Sequence, residues 1–125
     1  MSVHRGRDGA IAVVTASGRY EMSELRDGVD SALAAFGGER ASGLLVDLSG
    51  SQVMPDRSSQ DLQAMAYFLA SRAEQFAQRL AMVTSTDLAY GMMRMGTVVV
   101  ESQGVAARVF RDRGAAMTWL MPASV

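Results

Sequence analysis

The feature that most constrains this chain is a repeated change in the spacing of its apolar residues, from β-branched runs to helical stripes and back. "GAIAVVTASG", residues 9–18, is an apolar run closed by glycine and reads as a strand. "YEMSELRDGVDSALAAFGG" then sets Met22, Leu25, Val29, Leu33 and Phe36 at helical spacing and stops at Gly37-Gly38. "SGLLVDL", residues 42–48, is a short continuous apolar run, the mark of a strand covered on both faces. "SSQDLQAMAYFLASRAEQFAQ" carries Leu62, Met65, Leu69, Ala73 and Phe76 as one stripe. "RLAMVTS" is a further buried strand, and "LAYGMMRMGTVVVESQG" a third helix with Gly104 just past its end, although Thr97-Val98-Val99-Val100 favours a strand locally. "ARVF" is a last strand and "DRGAAMTWL" a last helix, with Asp112 as its N-cap and Pro122 beyond it.

The order is β-α-β-α-β-α-β-α, with an optional extra strand from "SVHRGR" at the start. Such alternation predicts an α/β fold with right-handed crossovers, in which helices pack on a mostly parallel sheet of four or five strands. No linker, repeat or low-complexity tract breaks residues 1–125, so a single domain is expected. A chain of this length buries ~65–70% of the surface its unfolded form exposes.

Composition narrows the chemistry. A formal net charge of −1 argues against nucleic acid or an anionic membrane as partner. Cysteine is absent, which excludes disulfides, thiol nucleophiles and thiolate metal sites. His4 is the only histidine and lies near the start, so neither a metal cluster nor a histidine-based triad is expected. No cofactor and no enzymatic activity are expected. No apolar run nears the ~18 residues that span a bilayer, and the N-terminus lacks a signal peptide's apolar core, so a soluble cytoplasmic protein is expected. All 12 basic residues are arginine, and lysine and asparagine are both missing. Their A-rich codons make a GC-rich bacterial genome the simplest common cause.

The ending "ARVFRDRGAAMTWL", with Val109, Phe110, Ala115, Ala116, Trp119 and Leu120, resembles the SpoIIAA-like branch of the STAS superfamily, also described as STAS/SEC14-like. "LLVDLSG" fits the same pattern at a strand end. The resemblance implies a small non-enzymatic domain, in some relatives an anti-sigma-factor antagonist switched by serine phosphorylation. In more distant relatives it implies a module that holds a lipid, a nucleotide or another small ligand.

A phospho-switch would sit in "VDLSGSQVMPDRSSQDLQAM", residues 46–65, where a loop of about nine residues separates strand from helix, against the usual ~2–6. The phosphorylated relatives carry Asp-Ser-Ser-Gly there, because a helix N-terminus suits a phosphate. This chain has Asp56-Arg57-Ser58-Ser59-Gln60: Arg57 takes the serine position, or else Gln60 replaces the glycine. The motif is broken either way. Ser58 reads as an ordinary N-cap with Asp61 three residues on.

Two further features stand out. In open α/β sheets ligands bind outside the carboxyl ends of the strands, which here would gather Ser49, Ser51, Ser85, Thr86 and Asp87. Asp47, at a strand end, is expected to be a paired carboxylate. Met92, Met93 and Met95 fall within four residues of one helix and cannot all face one core, so an apolar side is left over, with Tyr90 and Tyr67 at its rim. A non-catalytic regulatory or interaction module, dimeric or bound to a protein partner, is the first reading. A carrier or sensor of a small amphipathic or lipid-like ligand is the alternative. A flat exposed patch favours the first and an enclosed cavity the second.

Overall fold

The computed structural model describes residues 3–18, 21–37, 39–50 and 59–121. Its centre is a five-stranded sheet of β1 (Val3–Asp8), β2 (Ile11–Ser17), β3 (Gly43–Gly50), β4 (Arg79–Val83) and β5 (Ala106–Phe110), side by side in sequence order. β1, the optional extra strand, pairs antiparallel with β2. Gly9, with φ +60°, supplies the left-handed conformation that this two-residue hairpin turn needs. The remaining pairings are parallel.

The crossovers are α1 (Met22–Ala34), α2 (Ser59–Ser71) and α3 (Asp87–Ser102), and α4 (Arg113–Leu120) follows β5. Strand side chains alternate between the two faces of the sheet and so build two cores. Ala12, Val14, Leu44, Val46 and Leu80 pack with α1, α2 and α3. Ile11, Val13, Leu45, Ala81 and Val83 pack with Ala116 and Leu120 of α4. Parallel strands covered on both sides must be apolar on both, which is why "GLLV" shows no alternation.

Two local differences from the sequence expectation have clear causes. The stripe of the second helix continues through Ala73 and Phe76, but the α-helix ends at Ser71 and a 3₁₀ turn (Ala73–Phe76) carries the last two apolar residues inward. Ala77 (φ 57°) and Gln78 (φ 59°) are both left-handed without being glycine. Gln78 compensates, because its N–H donates to Ala73 O (2.8 Å) and its carbonyl accepts from Ala106 N (2.7 Å). Trp119, the single tryptophan, is only half-buried, where so large an apolar ring would be expected inside. Its ring centroid lies 5.8 Å from that of Phe110, and the Arg79 guanidinium covers it at 4.3 Å, so a cation rather than more core closes this side.

α3 is helical through Thr97–Val100. Met93, Thr97 and Val100 are buried at helical spacing, and that period overrides the local preference of the β-branched run. At α4 the Asp112 carboxylate accepts from Ala115 N at 2.8 Å, the expected cap. Between α1 and the end of α2, Arg72 donates to Asp30 through Nε (2.7 Å) and Nη2 (3.3 Å). The hydrogen bond to Asp30 raises the Arg72 pKa above its ordinary value.

Candidate functional site

The carboxyl ends of β3 and β4 hold two polar groups. In the first, Asp47 Oδ1 accepts from Ser49 N (2.9 Å) and Ser49 Oγ (2.6 Å), while Arg113 Nη1 donates to Asp47 Oδ2 (3.2 Å). Asp47 is buried and Ser49 half-buried. In the second, exposed Asp87 opens α3 and forms an ion pair with Arg111, which also donates to Ser85 O (3.0 Å). The carbonyl of Thr86, also exposed, accepts from Tyr90 N (3.0 Å) in the first turn of α3. Ser59 is the first residue of α2, and Ser51, Asp56, Arg57 and Ser58 lie outside the described residues.

This arrangement can hold the fold together, and its described residues assemble no nucleophile, base and orienting group. The topology adds a reason. A ligand crevice forms where strand order reverses and successive helices part to opposite faces. Here β2 to β5 never reverse order and α1, α2 and α3 share one face, so no crevice opens between those helices; α3 and α4 do part to opposite faces, at the carboxyl ends of β4 and β5, where the ion pair of Asp87 and Arg111 links the two strand ends. Among the described residues, no group of three or more His, Cys, Asp or Glu could hold a metal ion. No described helix is long and apolar enough to cross a membrane.

The α3 methionines take different positions. Met93 is buried, Met92 and Tyr90 are half-buried, and Met95 is 74% exposed. Val98, one turn on from Met95, is 67% exposed, and Tyr67 of α2 is 56% exposed. Met92 and Met93 line, with Met22, Met65 and Met82, an apolar cavity of about 40 Å³ beneath the helices. That is room for a water or two, against roughly 300–1,000 Å³ for a typical ligand pocket.

Two features escaped the sequence reading. Thr84, just past β4, is buried and its hydroxyl has no hydrogen-bond partner among the described residues. The second is an open groove of about 620 Å³ between α3 and β5, lined on the helix by Tyr90, Arg94, Thr97 and Glu101 and on the strand by Arg108 and Phe110. The helical spacing of the first four was visible, but only the sheet order makes β5 an edge.

Comparison with known proteins agrees with this geometry at the level of fold. An uncharacterised protein of the DUF3478 family with a SpoIIAA-like fold, from Shewanella loihica PV-4, aligns over 95% of this chain and 92% of its own, with a TM-score of 0.58 and 17% identity. The chain has a SpoIIAA-like fold. An anti-sigma factor antagonist from Mycobacterium paratuberculosis matches over 94% of this chain and 92% of its own, with a TM-score of 0.61 and 17% identity. No protein-family profile matches the sequence, and none of the curated proteins does. The SpoIIAA-like assignment therefore rests on topology and not on shared side chains.

Proposed function

We propose that this SpoIIAA-like chain is a non-enzymatic regulatory module that works by binding protein, either a partner or a second copy of itself, in the cytoplasm. The observation that carries the reading is where the apolar surplus of α3 goes: Met95 and Val98 point outward, while the apolar cavity beneath the helices measures only about 40 Å³. Exposed apolar side chains on neighbouring turns suit a docking face. The anti-sigma factor antagonist of similar fold supports a role of this kind. The broken motif at Asp56-Arg57-Ser58-Ser59 argues for a switch that does not use phosphoserine.

Native mass spectrometry and sedimentation velocity on protein purified from its own host test the reading. A homodimer or a defined protein complex is expected, lost in Met95→Glu and Val98→Glu variants whose melts are unchanged. A monomer carrying a retained small molecule would replace this reading with the ligand-carrier one, for which the plasticity of the five cavity methionines is the basis. A bare monomer would overturn both.

A further inference from the structure

We infer that the groove between α3 and β5 accepts an extended acidic peptide, which adds to the sheet as a sixth strand. The inference concerns the other flank of α3 and does not require the Met95 face to be an interface.

β5 is the edge of the sheet, with β4 on one side only. Backbone groups of alternate residues point to opposite sides of a strand. Ala106 N donates to Gln78 O and Phe110 O accepts from Thr84 N, so residues 106, 108 and 110 bond toward β4. The N–H and C=O groups of Ala107 and Val109 therefore face the open side. α3 overhangs this edge along its length and makes a trough with a hydrogen-bonding wall. Helix-flanked edge strands of this kind are used for strand addition, with main-chain bonds giving affinity and side chains giving specificity.

Charge selects the occupant. Arg94 on α3 and Arg108 at the centre of β5 both line the groove, and neither has an ion-pair partner among the described residues. Two acids also line it: Asp87, at one end, is held by Arg111, and Glu101 lies at the other end, so the three arginines outnumber the acids and the middle of the groove is basic. A second copy of β5 fits badly. Antiparallel pairing in full register would set Arg108 opposite Arg108, and like charges directly opposed are destabilising. A shifted register would shorten a strand that has only five residues. A foreign strand with adjacent acidic residues avoids both problems. Its neighbouring side chains fall on opposite faces, one carboxylate beside Arg108 and the next under α3 beside Arg94.

The probe is a labelled seven-residue Thr/Val peptide with Glu and Asp adjacent at its centre, compared with its Gln/Asn counterpart by fluorescence anisotropy and amide hydrogen exchange. At saturation, the acidic peptide should slow exchange at Ala107 and Val109 by about tenfold or more. The neutral peptide should bind roughly 3- to 10-fold more weakly, as expected for two exposed ion pairs, and the gap should close in ~0.5 M salt. Arg94→Ser with Arg108→Ser should remove the preference at an unchanged melting temperature, whereas Met95→Glu should leave it intact. Three results would each overturn the inference: equal binding of the two peptides, no protection at the two edge amides, or protection that rises with protein concentration alone, which would mean self-pairing.

Discussion

Arg113 and Asp47 are 66 residues apart in sequence and joined at 3.2 Å, fixing the first turn of α4 to the end of β3. The partners differ in environment: the Asp47 side chain is 6% exposed and that of Arg113 47%. Asp47 also anchors the backbone and hydroxyl of Ser49. Asp47→Ala strips three hydrogen bonds from a buried place and should cost ~1–3 kcal/mol. Arg113→Ala removes the two longer bonds, to Asp47 (3.2 Å) and Thr15 (3.4 Å), and leaves Asp47 its Ser49 partners, so it should cost less, ~0.5–1.5 kcal/mol. Urea titration of both variants checks the ranking, and equal losses would show that Asp47 is not the organising partner.

Thr84 gives a prediction of opposite sign. Its buried hydroxyl lacks a partner among the described residues, so Thr84→Val, which keeps the shape and removes the oxygen, should stabilise the fold by ~1 kcal/mol. A thermal melt reads this directly. A loss of stability would mean the hydroxyl is bonded in solution.

At Gly43 the constraint is space. A Cβ there would lie 2.8 Å from Leu120 Cδ2 and 3.5 Å from Ile11 Cδ1, both in the core under α4. Gly43→Ala should cost ~1–3 kcal/mol through overpacking. Combined with Leu120→Ala, it should cost less than the sum of the single changes, because the second makes room for the first. Strict additivity in denaturant titrations would show that α4 adjusts freely.

Trp119 and Phe76 form a natural comparison. Phe76 is 0% exposed among the main-core residues, and Phe76→Ala should cost ~3–5 kcal/mol. Trp119 is half-buried under Arg79, and Trp119→Ala should cost about half as much, ~1.5–2.5 kcal/mol. If the tryptophan proves the costlier loss, the Arg79 contact contributes more than surface stacking allows.

Most of the fold was legible because apolar period is a direct record of which face is covered. Continuous runs such as Leu44-Leu45-Val46 mark strands buried twice, and Met93, Thr97 and Val100 mark a helix even through β-branched sequence. What escaped notice depends on distance in space. Arg79 lies 40 residues from the tryptophan it covers, and no local pattern reports that contact. The left-handed Ala77-Gln78 pair carries no glycine to announce it. The groove at β5 required the strand order, because an edge is a property of the whole sheet. Ser85, Thr86 and Asp87 were readable as residues near a strand end, but the bonds of Arg111 to Asp87 and to the Ser85 carbonyl, made across the ends of two strands, were not.

The unequal cover of the sheet has a kinetic consequence. One side is held by three long helices, and the other, among the described residues, by the eight residues of α4. Such a segment can detach while the rest of the molecule keeps its structure, and this opening is cheaper than global unfolding. Each opening bares Ile11, Val13, Leu45, Ala81 and Val83 together on a flat, ordered sheet. Aggregation in storage should then follow how firmly one short helix stays down more closely than it follows the melting temperature.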